Sequence, residues 1–522
     1  MAQGATVTGA GNVVVQIEGD GNTVVPYLPH LELTLYEQRR RTEGVVDGES
    51  AAGLLSAYSR SIPWIDRPGL RDPLWKWMQS GRAISVRVLV GDAGRGKTRL
   101  ALQLCEDARA RGWRSGFVTT GELERFRQQQ NARSWGWNAP TLVVLDYVAA
   151  SAATLHPWLV ELADHPALGD EQTAANRPLR VLLLERQADT RGGWWTSAFG
   201  RGGGDAEAVQ RFLDPPEPVV LPRIDDCETR RQVIAAVLER MGGGLSLPAR
   251  GENPDFDERL AQVSWGGEPL FLMMTALVAA DIGFAQALSL GSDVLALRLA
   301  DRERDRIERI ARSHGVDSDL AQHMAAVVTL RQGMERPEFL EAVATESQAL
   351  GYGTAGDPPP AQYTTVQAAL PRPGGGIQAI VPDAIGEAFL LRVWDGYDGR
   401  DGAQAVLRAA EQQPQETVAT VIRCCQDFAI RGHPQPLEWL NALGSRAADD
   451  LTALLDLLEA LPKDTLVLRE AALQITEQAI AVVEADRRPS EGDDRKSLEA
   501  VLRNSLSQRL SDLGRREEAL AA

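Results

Sequence analysis

Lysine is nearly missing from this chain. Of 55 lysine and arginine residues, only Lys76, Lys97, Lys463 and Lys496 are lysine, the coding bias expected of a GC-rich, bacterial genome. Cysteine is scarce too. Cys105, Cys227, Cys424 and Cys425 form no CxxC pair and have no histidine pair beside them, so neither a zinc site nor a disulfide framework is indicated. Excess positive charge is also missing: the net charge is -17, which argues against nucleic-acid or anionic-membrane binding through bulk charge. No apolar run approaches bilayer length, and Met1 to Val25 has neither the basic start nor the apolar stretch of a signal peptide. A soluble, cytoplasmic protein with no membrane partner is expected, and 522 residues are too many for a single core.

Against that scarcity, Lys97 is conspicuous. It lies in Gly91-Asp92-Ala93-Gly94-Arg95-Gly96-Lys97-Thr98, which follows the apolar run Val86–Val90 and precedes a helical pattern beginning at Arg99. The segment fits GxxxxGK[ST] in the strand–loop–helix context that makes the pattern specific. Glycines let main-chain amides converge on phosphate oxygens, and the helix start adds its positive dipole end. Lys97 can reach the β- and γ-phosphates, and the Thr98 hydroxyl is placed to ligate Mg²⁺. The implied cofactors are ATP or ADP with Mg²⁺.

Two later strands add to the site. Thr141 to Leu145 ends in Asp146, the position of a carboxylate that holds the metal ion directly or through water. Tyr147 follows, where fast nucleotide hydrolases place an acid, so slow hydrolysis is expected unless another acid such as Glu185 compensates. Arg180 to Glu185 ends in Arg186, which can sense a γ-phosphate or equally well be a surface arginine. Trp194 and Trp195, in a Gly-rich loop, read as a packing anchor.

From Ile62 to about Ile224 apolar runs alternate with helical patterns, the signature of a parallel sheet covered on both faces. After Asp225 the strand signal fades and helices dominate. The expected fold is multidomain α/β plus α, with these divisions: a β-prone motif at 1–26, a linker at 27–60, a P-loop nucleotide domain at 61–225, a helical lid at 226–300, a winged-helix-like domain at 301–400 with a short strand from Ile377, a helical arm at 401–495, and the start of a tetratricopeptide-like repeat at 496–522. One such repeat cannot bury its own apolar face, so the natural protein or its assembly is expected to continue past residue 522.

The order of these motifs, followed by Gly267-Glu268-Pro269 on a helical segment, resembles the STAND class of signal-transduction ATPases, the relatives of apoptotic and plant-immunity nucleotide switches. The resemblance implies that Pro269 abuts the adenine base and that Arg67, within Trp64 to Arg67, contacts the base too. Val381-Pro382-Asp383 resembles the Met-His-Asp motif of the class's winged-helix domain; Pro382 stands where the class has the histidine that contacts the β-phosphate of ADP, and only Asp383 is retained. Asp146 and Arg186 carry the catalytic expectation. Gly91 to Arg99, Arg67, Pro269 and Asp383 carry the nucleotide-binding one, and Thr98 and Asp146 the metal.

The resemblance further implies a switch that opens and homo-oligomerises when an unknown trigger engages the C-terminal helices, in a setting of bacterial defence. Asn12 to Asn22, with its β-branched run and Gly/Asn corners, resembles short amyloid-signalling motifs that engage an effector protein; a hairpin padding a strand edge is the alternative. His30 is isolated and reads as structural. The competing function is an AAA-like ATPase that remodels proteins by continuous turnover, against which Tyr147 argues. A transcription regulator is a weaker reading, because the segment from Asp383 to Phe389 is acidic and apolar rather than basic.

Overall fold

The computed structural model describes residues 50–521, apart from 68, 130, 136, 138, 170–175, 201, 243–244, 353–358, 373–374, 396–400, 463–465 and 486–491. The β-prone motif, His30 and most of the expected linker lie outside the described residues.

The chain enters through a five-residue helix, α1 (Ala51–Leu55), and then α2 (Arg71–Met78). Five parallel strands follow: β1 (Ile84–Val90), β2 (Arg114–Phe117), β3 (Thr141–Asp146), β4 (Leu179–Glu185) and β5 (Val219–Val220). Their order across the sheet is β2-β3-β4-β1-β5. Helix α3 (Lys97–Ala110) follows β1, and α4 (Ala152–Ala163) follows β3.

Strand alternation splits the two faces. Val86, Val88, Val143, Leu145, Val181 and Leu183 point into one core cluster, and Leu89, Leu142, Val144, Leu182 and Leu184 into the other. Covering both faces explains why these strands read as continuous apolar runs rather than as alternating ones. Beneath the sheet, Arg180 on β4 is fully buried. Its guanidinium donates to the carbonyls of Trp77, Met78, Ser80, Leu179 and Arg82 at 2.7–3.2 Å. It therefore satisfies orphan acceptors where α2 ends.

The rest of the chain is helical: α5 (Cys227–Arg240), α6 (Pro269–Ile282), α7 (Ser292–His314), α8 (Ser318–Leu330), α9 (Arg336–Ala349), α10 (Pro359–Ala369), α11 (Asp383–Val393), α12 (Gly402–Gln412) and α13 (Pro414–Asp427), with further helices to Ala521. Asp226, Asp317 and Asp401 cap α5, α8 and α12 by accepting from first-turn amides. Pro269 and Pro414 occupy first helical positions, where no amide donor is needed.

Three expectations change. Residues 50–60 are not linker: α1 is folded onto α7, where the fully buried Glu303 accepts from the Ala52 amide at 3.0 Å and from the Ser50 hydroxyl at 3.1 Å. The boundary placed at 300/301 falls inside α7, and one apolar core runs from Ala51 through the lid and the arm to Leu502. The strand expected from Ile377 is reduced to isolated bridges with Met334 and Pro371. Periodicity could not show the first of these, because the contacts of Glu303 with Ser50 and Ala52 join positions about 250 residues apart.

Candidate functional site

The tips of β1, β3 and β4 and the start of α3 meet at a cavity of about 800 Å³. The loop from Gly91 to Gly96 is anchored at its first residue, whose amide donates to the carbonyls of Glu185 and Arg186 on β4. Gly94 (φ +80°) and Gly96 (φ +89°) hold left-handed conformations, and a Cβ on Gly94 would stand 3.1 Å from that of Leu270. Glycine is required there both by backbone conformation and by the close approach of α6. The Leu270 amide donates back to the Gly94 carbonyl at 3.2 Å.

Within the loop, Ala93, Gly94, Gly96, Lys97, Thr98 and Arg99 line the cavity, whereas Gly91, Asp92 and Arg95 do not. Arg95 is turned away from the cavity, bonded to the Leu221 carbonyl at 2.9 Å and paired with Asp92. The Lys97 ammonium folds back on the carbonyls of Gly91 and Asp92. Burial, then the neighbouring Arg186 charge, lowers its pKa. The Thr98 hydroxyl donates to Asp146 Oδ2 at 2.7 Å, so a hydroxyl and a carboxylate stand side by side, as a magnesium–phosphate complex requires. Among the described residues no cluster of three or more His, Cys, Asp or Glu could hold a metal by itself. A magnesium ion here would thus draw its remaining ligands from phosphate oxygens and water. Burial pushes Asp146 up to about 6 against the pull of Thr98 and Lys97.

Pro269 lines the cavity beside Gly96. Arg67 lines it too, but its guanidinium is engaged by main-chain carbonyls of Arg95 and Pro222. Trp194 and Trp195 are buried against Phe199, and the Trp194 indole donates to the Gln187 carbonyl at 2.9 Å. They anchor the segment that follows Arg186.

The far wall was only partly legible in the sequence, which named Arg186 and Asp383 but not Glu387, Arg423 or Asp427. Arg186 is not on the surface: its side chain is 9% exposed and pairs with Glu387 at 2.9 Å, Asp427 at 3.0 Å and Asp383 at 3.9 Å. Burial by itself would lower its pKa; Asp427, Glu387 and Asp383 outweigh that and raise it. The Tyr147 hydroxyl donates to Asp383, and the Arg423 guanidinium stacks over the Tyr147 ring at 5.0 Å. Glu387 titrates well above the usual carboxylate range, through burial and then the charge of Asp427. Asp383 and Glu387 share a face of α11 by their spacing of four, as Arg423 and Asp427 do on α13. For Glu387, Arg423 and Asp427 those spacings were the only sequence signal available, and many exposed helices carry the same pattern.

Eight basic side chains line the cavity (Arg60, Arg67, Lys97, Arg99, Arg186, Arg306, Arg372 and Arg423) against four acidic ones (Asp146, Glu185, Asp383 and Glu387), a reversal of the chain's overall charge of -17. Glu185 accepts from the main-chain amides of Ala149 and Arg186. All four carboxylates are therefore engaged by protein groups.

No family model matches the chain, and no curated protein matches it. Among solved structures, one match is described as the crystal structure of a DNA replication initiation factor; it is 11% identical, the alignment covers 80% of this chain and 97% of that one, and the TM-score is 0.29. A superposition that loose carries no argument about activity. Among the described residues no helix is long and apolar enough to cross a membrane.

Proposed function

We propose that the chain is a nucleotide-controlled switch that binds ATP or ADP with Mg²⁺ at Gly91 to Thr98. One observation carries the reading: the cavity of about 800 Å³ has the phosphate loop as its near wall and α11 and α13 as its far wall, so one polyanionic ligand would touch both halves of the chain. Its volume falls within the range of small-molecule sites. Lys97 would hold the β- and γ-phosphates, and Thr98 and Asp146 the metal ion. Pro269 and Arg67 would border the base. Two conformations with different affinity for ADP and ATP are all such a device needs.

The finer assignment follows the resemblance to STAND ATPases. On this reading α8–α11 are the winged-helix-like unit, the arm and terminal helices form a tetratricopeptide-type sensor, and an unidentified trigger there opens a cytoplasmic protein, which then homo-oligomerises. Effector engagement through the N-terminal motif and a role in bacterial defence rest on resemblance alone. The AAA-like remodelling ATPase is the second reading. Against it, Tyr147 stands where a water-orienting acid would be, and the four lining carboxylates are engaged.

The test is nucleotide binding by Lys97→Ala. Loss of ATP and ADP affinity by about tenfold or more is expected, in keeping with a charged, desolvated phosphate contact. Unchanged affinity would refute the site and the switch with it.

A further inference from the structure

We propose that helix α13 of the arm grips the nucleotide site directly: Asp427 and Arg423, together with Glu387 and Asp383 of α11, hold Arg186 and Tyr147 in an ionic latch. Displacing α13 then frees Arg186 for a γ-phosphate and moves the site's preference from ADP toward ATP. The inference rests on the nucleotide-binding reading and names how that site is regulated.

The latch has a sheet side and a helical side. On the sheet, Tyr147 follows β3 and Arg186 follows β4, and both line the cavity. On the helices, Asp427 lies 3.0 Å from Arg186, and Arg423 lies 3.6 Å from Asp383 and 3.5 Å from Glu387. Thr420 and Arg423 of α13 also line the cavity. The contacts are electrostatic more than geometric. Arg186 Nη1, Asp427 Oδ2, Glu387 Oε2 and Arg423 Nε are buried, yet none makes a well-formed hydrogen bond. A buried ion cluster of this sort adds little net stability, but removing one partner strands a charge. It therefore favours two discrete arrangements, closed or fully apart, over intermediate ones.

The helical side is wired to the arm. Arg331 of α8 bonds to Gln412 at 2.6 Å and to Gln413 at 3.0 Å, where α12 passes into α13. Arg408 of α12 forks onto Glu346, which also accepts from His323, and the Trp394 indole donates to the same imidazole. These joints tie α8, α9, α11, α12 and α13 into one body. A load on the arm thus reaches the latch through these side-chain joints, and the contacts that give way are those with Arg186 and Tyr147. Arg186 cannot remain paired with Asp427 and Glu387 and also serve a phosphate, so the closed arrangement disfavours ATP relative to ADP.

The experiment measures ATP and ADP affinities of the full chain by competition against a fluorescent ADP. Asp427→Asn is expected to shift the ATP/ADP affinity ratio toward ATP by about tenfold, a coupling of ordinary allosteric size. Tyr147→Phe should shift it in the same direction. Arg446→Gln, which removes the exposed pair with Glu411 on the arm, should leave the ratio unchanged. A ratio equal to the unmodified chain's in Asp427→Asn protein that still binds nucleotide overturns the latch. Failure of every variant, and of the unmodified chain, to bind either nucleotide would instead refute the underlying site. Should Asp427→Asn unfold, hydrogen exchange of the unmodified chain decides: amides of α13 and of residues 186–187 should lose protection together when ATP replaces ADP. Unchanged protection at α13 overturns the proposal.

Discussion

Replacing Asp146 with Asn should make the nucleotide-free protein more stable while impairing its site. The carboxyl sits beside Thr98 and Lys97, yet burial lifts its pKa from 3.8 to about 6. A carboxyl whose pKa is raised by folding binds its proton more tightly when folded. Its contribution therefore favours the folded state at low pH, declines as pH climbs from about 4 to about 6, and costs stability in full above that. At about 1.4 kcal/mol per pH unit, the ceiling is about 3 kcal/mol. Asp146 keeps a partly exposed, cavity-facing edge, and solvent screening there reduces the figure to about 1–2 kcal/mol. Asn can still accept the Thr98 hydroxyl through its amide oxygen. At pH 7, without nucleotide or metal, Asp146→Asn protein should unfold at higher temperature or denaturant concentration than the unmodified chain. The two should converge toward pH 4, and the variant should lose the gain in ATP affinity that Mg²⁺ confers. An Asp146→Asn protein less stable at pH 7, or one whose stability advantage is the same at pH 4 and pH 7, would refute the reasoning.

Other outcomes follow from buried polar groups. Arg180→Met removes the guanidinium that donates to five main-chain carbonyls and should destabilise the sheet domain by about 3–5 kcal/mol, read by chemical denaturation. Glu303→Gln weakens the acceptor for α1 and for Arg306 by about 1–3 kcal/mol; limited proteolysis should then cut within residues 50–65 sooner, while cleavage elsewhere keeps its rate.

The phosphate loop could be read from the chain alone because its chemistry is local. Glycine spacing, one ammonium and one hydroxyl must fall within eight consecutive residues, and a strand and a helix must flank them. Strands β1 to β4 were equally legible, since both faces of a parallel sheet are buried and their residues are mostly apolar; β5 was not, being two residues long in a Pro-rich stretch that reads as a loop. Asp146 at a strand end and the packing role of Trp194 and Trp195 follow from the same local logic.

Tertiary structure decided everything that joins distant segments. Arg186 could be a free sensor or a locked one, and only the arrival of Asp383, Glu387 and Asp427, about 200 residues and more along the chain, settles its burial. Residues 50–60 fall within the expected linker until the contacts of Glu303 on α7 place them in the fold. Tyr147 read as the absence of an acid; in the fold it is a hydrogen-bond donor to Asp383. A side chain's charge and shape are fixed by its codon, but its partner is chosen by which helices share a core, and no spacing rule along the chain records that choice.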